Sequence, residues 1–253
     1  MTRQVLPMAT TSDRFLDGTI LIEQPALGYR AAIDPVLLAA TIAPQPGQKL
    51  LDAGAGVGVA SLCLAARVTS ANLTALERDP AIASLLERNV AANAGGADIQ
   101  AICGDLFDRK LQIGPFDQVF SNPPFLAAAK ASHSPDPLKN SANILDHGDL
   151  EAWIKACLAR LAPKGLLTLI LRADHLDQAI TAFANRAGGV SVLPLWPRAD
   201  QPAKRIILRA RKGSRAPLRL LPGLILHEAD GQYTPAADDI LRGRTALAFN
   251  DHA

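Results

Sequence analysis

Asn122-Pro123-Pro124-Phe125 combines groups suited to holding a flat amino group. An amino nitrogen on a ring or a carbonyl is a poor nucleophile, because its lone pair is delocalised. The side-chain oxygen of Asn122 and the carbonyl of Pro123 can accept its two hydrogens. That arrangement aligns the nitrogen with an electrophile and offsets positive charge as it develops. The prolines stiffen the segment and leave the carbonyl of Pro123 available. Phe125 offers a flat face on which an unstacked base can lie. The chemistry needs neither a metal nor a basic side chain. The bland alternative is a rigid strand-end turn with a core phenylalanine.

Earlier in the chain, Leu50-Leu51-Asp52-Ala53-Gly54-Ala55-Gly56-Val57-Gly58 runs from an apolar segment into three glycines at alternate positions. Val59 to Val68 then reads as a helix. Apolar run, glycine turn and helix form the opening of a βαβ unit, with a ligand loop at the strand's carboxyl end. Glycines let the backbone turn tightly and let a ligand approach without Cβ clashes. The helix start adds unpaired amides and a positive dipole end. The spacing differs from the nicotinamide fingerprint G-x-G-x-x-G, because position 59 is Val. Glu77 follows the loop by about 20 residues, a spacing at which an acid can accept bonds from both ribose hydroxyls. Asp79 competes for that role, or caps the next helix. Asp105, after Gly104, is a third acid at a strand end, with a turn aspartate as its alternative reading.

These residues need a frame that brings them together. Strands are expected over 48–52, 72–77, 98–103, 116–120, 166–171, 190–195 and 205–210, with a short one over 19–24. Ile82, Leu85, Leu86, Val90 and Ala91 keep helical spacing after Pro80, and Asn93-Ala94-Gly95-Gly96 reads as the stop. Asp34 and Pro35 read as the N-cap and first residue of an upstream helix. A helix is expected over 150–161, followed by a turn at Pro163-Lys164-Gly165. Another is expected from Asp174 to Gly188-Gly189, and Thr234-Pro235 reads as a cap and a helix start. Residues 1–18 read as a loose leader, and the polar stretch 131–146 as a mobile lid. The alternation predicts an α/β fold: a doubly wound, mostly parallel sheet of about seven strands with helices on both faces. Its carboxyl ends then present Asp52 with the glycine loop, Glu77, Asp105 and Asn122 in one crevice. A single domain is expected over 1–253. It comprises a leader and helix over 1–45, a core over 46–213, and an extension over 214–253 packed on that core.

The D-x-G-x-G-x-G loop resembles that of Rossmann-like S-adenosylmethionine-dependent methyltransferases, and Asn-Pro-Pro-Phe resembles their amino-group motif N-P-P-[FYW]. The segment Gly28-Tyr29-Arg30-Ala31-Ala32-Ile33-Asp34-Pro35-Val36-Leu37-Leu38 and the tail around Gln232-Tyr233-Thr234 narrow the likeness. Together they resemble the bacterial tRNA1(Val) (adenine-37-N6)-methyltransferase family, over about residues 15 to 245. That family commonly has Gly-Thr-Asp where this chain has Ala32-Ile33-Asp34. The resemblance implies S-adenosylmethionine as cofactor, held by Asp52, Gly54, Gly56, Gly58, Glu77, Asp105 and Asn122. It places Asp105 on the cofactor's adenine amine, and Asn122, Pro123 and Phe125 at the reacting nitrogen. The same chemistry serves a protein glutamine, an rRNA guanine or a DNA adenine. A non-catalytic RNA-binding protein on this scaffold is a further alternative.

Residues 198–219 hold eight basic side chains: Arg198, Lys204, Arg205, Arg209, Arg211, Lys212, Arg215 and Arg219. Their one acid is Asp200, whereas the whole chain carries only +2, so the remainder is acidic. A concentrated basic segment fits a nucleic-acid partner, most simply tRNA; a charge-guarded strand edge explains it equally well. The apolar runs stop short of a membrane span, and no apolar signal core follows Arg3. Cys63, Cys103 and Cys157 lie far apart and read as buried thiols of a cytoplasmic protein. The histidines show no metal-ligand spacing.

Overall fold

The computed structural model describes residues 9–27, 30–93, 98–123 and 149–249. Phe125, the 131–146 segment and the Gly28-Tyr29 pair lie outside these residues. The main sheet holds β3 (Lys49–Ala53), β4 (Asn72–Glu77), β5 (Asp98–Cys103), β6 (Phe116–Ser121), β7 (Leu161–Arg172), β8 (Ala187–Trp196) and β9 (Arg205–Lys212). Two-residue strands β10 (Arg219–Leu220) and β11 (Leu224–Ile225) both pair with β8. The order is β10-β8-β9-β7-β6-β3-β4-β5. Among the described strands of this sheet, only β9 runs antiparallel to its neighbours, β7 and β8. The chain winds outward from β3 in one direction through β4 and β5, and from β6 in the other. The crevice between the ends of β3 and β6 is therefore the switch point where such sheets bind ligands.

Strand periodicity sends successive side chains to opposite faces. Leu50 enters one apolar layer and Leu51 the other; Ile207 likewise opposes Ile206 and Leu208. Helices α1 (Ile33–Ala40), α2 (Val59–Arg67) and α3 (Pro80–Ala92) cover the first layer. Helices α4 (Asp149–Arg160) and α5 (Leu176–Phe183) cover the second. The last helix, α6 (Pro235–Leu241), is capped by Thr234 as expected, whose Oγ1 accepts from Ala237 N at 3.2 Å. It adds Ala237 and Ile240 to the first layer.

Several expectations need correction. Residues 10–15 are not a loose leader. They form β1 (Thr10–Phe15), which pairs antiparallel with β2 (Ile20–Pro25) through a turn with positive φ at Leu16, Asp17 and Gly18. Their partner is a single edge strand, which demands no apolar run. Asp34 does not cap α1: Ala32 is the N-cap, with no side-chain bond, and Asp34 Oδ2 accepts from Arg205 Nε at 2.9 Å. A cross-sheet guanidinium outcompetes the helix amides for that carboxylate. Gly188 and Gly189 do not end a helix. They lie in β8, at a register shift between Gly188 and Ser191. A Cβ on Gly188 would stand 2.5 Å from the Ser214 carbonyl oxygen, so close backbone approach demands glycine there. Pro163-Lys164-Gly165 forms an irregularity inside β7, where the pairing jumps from Phe116↔Leu161 to Gln118↔Leu166. Cys63 and Cys157 are buried, but Cys103 is exposed at the end of β5.

Candidate active site

The crevice is assembled from four adjacent strand ends. At the end of β3, Asp52 is 2% exposed and accepts from Ser61 Oγ at 2.7 Å, across the glycine turn. Burial pushes its carboxyl up to about 7, against the pull of the Ser61 bond. The turn is pinned to the next strand, because Gly54 N and Ala55 N both donate to Leu76 O at 2.9 Å. Gly54, Gly56 and Gly58 have φ of 72°, 56° and 92°, a region that glycine alone enters without strain. A Cβ on Gly56 would meet nothing within 4 Å, so a ligand can approach this part of the loop directly.

Glu77 closes the loop from the side. Its Oε2 accepts from Gly56 N at 3.0 Å and its Oε1 from Asp79 N at 2.8 Å. Asp79 is the cap of α3, taking Ala81 N at 2.8 Å, so the two acids are separated by task. Asp105 is exposed just beyond β5, where its Oδ1 accepts from Phe107 N at 2.9 Å. Gly104 N donates to Glu77 O at 2.8 Å, which brings the Asp105 turn beside Glu77. Glycine loop, Glu77 and Asp105 thus lie side by side along one edge of the sheet.

Asn122 is half-buried and Pro123 buried directly after β6. The residue before them, Ser121, fixes their place: its Oγ donates to Ala53 O at 2.6 Å and accepts from Trp153 Nε1 at 3.1 Å. Trp153 comes from α4, and a Cβ on Gly54 would stand 3.0 Å from its ring. Phe107 meets Trp153 edge-on, with centroids 5.9 Å apart. Ser61, Ser121 and Trp153 were not singled out by sequence reasoning. Each acts through a contact that no local pattern marks. Pro124 and Phe125 lie beyond the described residues.

The basic segment is not one continuous patch. Arg209 is buried; it bonds Thr41 O and lies 4.1 Å from the centre of the Phe249 ring. Arg211 holds Lys164 O at 2.9 Å and Lys212 holds Leu161 O at 2.6 Å. Because β9 is antiparallel, Arg205 pairs with Arg172 at the carboxyl edge of β7, whereas Arg211 pairs with Leu166 near the opposite edge. Arg211 and Lys212 therefore stand away from the crevice.

A glycine-loop crevice at a topological switch point, with an Asn-Pro turn on the adjoining strand, defines a methyltransferase of Rossmann-like fold. The methyltransferase small domain model matches residues 30–178, and the chain belongs to that family. It is related to proteins described as tRNA1(Val) (adenine(37)-N6)-methyltransferase. It shares 32% identity over 225 residues with the one from Porphyromonas gingivalis, covering 85% of this chain and 88% of the relative. For the Aeromonas salmonicida protein the identity is 29% over 217 residues, covering 84% and 89%. Among solved structures, a predicted O-methyltransferase from Agrobacterium tumefaciens superposes with a TM-score of 0.71 at 30% identity, covering 86% of this chain and 99% of that one. A T. thermophilus 16S rRNA methyltransferase shares the fold, with a TM-score of 0.56 at 24% identity over 82% of this chain and 51% of that one.

Proposed function

We propose that this chain transfers a methyl group from S-adenosylmethionine to the exocyclic N6 of an adenine in tRNA, in the cytoplasm. The observation that carries this reading is the bond from Ser121 Oγ to Ala53 O, which seats Asn122 and Pro123 beside the glycine loop. The cofactor would lie along Gly54, Gly56 and Gly58, with Glu77 and Asp105 on its nucleoside and Asp52 buried behind the loop. Bound there, it supplies an electrophilic methyl. Asn122 and the Pro123 carbonyl accept the two amino hydrogens, turn the lone pair toward that methyl and offset charge on the nitrogen. Phe125, next but one in sequence to Pro123, supplies the stacking face for the base.

The relative from A. tumefaciens is described as an O-methyltransferase, and the Asn-Pro turn favours nitrogen over oxygen. A hydroxyl has one hydrogen for two acceptors, whereas an amino group has one for each. The relatives described as tRNA adenine methyltransferases favour adenine in tRNA over a glutamine amide, an rRNA guanine or a DNA adenine.

The test is methyl transfer from labelled S-adenosylmethionine to unmodified tRNA, rRNA, DNA and protein in parallel, with nucleoside analysis. N6-methyladenosine in tRNA is expected; label in protein or in another nucleoside overturns the substrate. Asn122→Ala should lower turnover by about a hundredfold or more while cofactor affinity stays within a few-fold. Unchanged turnover in that variant would overturn the mechanism.

A further inference from the structure

The family match ends at residue 178, and the chain beyond it builds a shallow cleft of mixed lining that the chemistry above leaves unused. Pro197, Arg198, Gln201, His227 and Gly231 line this open cleft of about 410 Å3. Main-chain bonds shape it. Leu226 N donates to Trp196 O at 2.8 Å, His227 N to Pro197 O at 3.0 Å, and Glu228 N to Gln232 O at 2.9 Å. The resulting hairpin stacks the rings of His227 and Tyr233, 4.7 Å apart and inclined by 23°. His227 Nδ1 lies 3.2 Å from Gly231 O, so Nδ1 carries the proton and the ring is held in place. Tyr233 remains 38% exposed. A Cβ on Gly231 would lie 3.8 Å from Arg198 Nη2, so the guanidinium rests against the turn of the hairpin, beside His227.

The cleft shares an edge with the crevice. β7 runs parallel to β6, β9 reverses, and β8 reverses again, so Trp196 ends β8 on the side where Asn122 follows β6. Between β8 and β6 lie three strand spacings, about 14 Å. The basic segment narrows the choice of cation. Arg209, Arg211, Lys212 and Arg219 are engaged elsewhere, and Arg205 is paired with Asp34. Arg198, Lys204 and Arg215 form no ion pair among the described residues, and of these only Arg198 lines the cleft. The cleft lining has one formal charge, that of Arg198; Asp200, Glu228 and Asp230 are exposed around it. An exposed ring alone is an ordinary surface tyrosine, and a guanidinium alone a solvated charge. The His227 ring, backed by Tyr233, together with the guanidinium of Arg198 and the carboxamide of Gln201 matches the base, phosphate and base edge of a single nucleotide.

Resting on the tRNA reading above, we propose that this cleft holds a nucleotide flanking the adenine to be methylated. Its base packs on the Tyr233–His227 stack and its phosphate meets Arg198. The test measures binding of unmodified tRNA to the cofactor-loaded protein, together with methyl transfer and cofactor affinity. Tyr233→Ala and Arg198→Ala should each weaken tRNA binding about tenfold, while cofactor affinity stays within twofold. Tyr233→Trp should stay within about threefold of the wild type, because any large flat ring can stack. If the wild type methylates tRNA and Tyr233→Ala binds it as tightly, the cleft assignment falls and the function stands. If Tyr233→Trp is as weak as Tyr233→Ala, stacking is not what the position supplies, and the assignment falls too. If the wild type methylates protein and no RNA, both readings fall.

Discussion

Trp153 performs two tasks with one indole. Its ring packs against Gly54 and its Nε1 donates to Ser121 Oγ, so a residue of α4 touches both the glycine loop and the residue before Asn122. Trp153→Phe keeps most of the packing and removes the donor. Turnover should fall about tenfold, a loss of one hydrogen bond's worth of positioning, with cofactor affinity and melting temperature little changed. Steady-state kinetics beside a binding titration check this; equal losses in turnover and affinity would point to a collapsed loop instead. At this scale the sequence was legible wherever chemistry demands a fixed local pattern. Asp52, the glycines, Glu77, Asp105 and Asn122 all occupy strand ends at one crevice. The choice between Glu77 and Asp79 needed geometry, because a cap and a loop tie look alike in sequence. Ser61, Ser121 and Trp153 were not legible, since their partners are set by packing across the sheet.

The β1–β2 hairpin shows how elements outside the main sheet support the loop. Asn89 on α3 and Asn93, the C-cap that follows it one turn later, stand in for a neighbouring strand. Asn89 Oδ1 accepts from Glu23 N at 2.8 Å, and its Nδ2 donates to Glu23 O at 2.9 Å. Asn93 does the same for Leu21, at 2.9 and 2.8 Å. Asn89 Nδ2 also donates to Val57 O in the glycine turn at 2.9 Å, so one buried carboxamide joins hairpin, helix and loop. Asn89→Ala strands buried backbone partners and should cost about 2–3 kcal/mol, read by denaturant unfolding. The same variant should weaken cofactor binding, because Val57 loses its tether. The seven longer strands of the main sheet were legible from their apolar runs and glycine stops, although β7 starts at Leu161 rather than 166; the two-residue β10 and β11 were not, so the sheet has nine strands rather than about seven. β1 was not, because Thr-Thr-Ser-Asp-Arg-Phe lacks an apolar run and pairs only with an edge. The Gly188-Gly189 pair misled for a related reason: glycine marks both a helix stop and a strand forced close to another backbone.

Across the whole molecule, the antiparallel course of β9 decides what the basic segment can do. Charge counted along the chain merges residues that the sheet sends to opposite edges and, with Arg209, into the interior. Arg211→Gln combined with Lys212→Gln should leave tRNA affinity and its salt dependence unchanged within about twofold. A clear drop in the salt slope would put the nucleic acid on the far edge and would require a second docking face. Arg209 is a different case, since its guanidinium bonds Thr41 O and lies over Phe249, so its loss is a loss of stability.

The same reversal of β9 has a geometric result. Asn122 and the cleft at Arg198 and His227 are joined through β6, β7, β9 and β8, a continuous hydrogen-bonded sheet. Two contact points on a stiff sheet act as a ruler. If both points hold RNA as proposed, a strand would be selected by the distance between its target and its flanking nucleotide, as well as by the identity of the base at either mark.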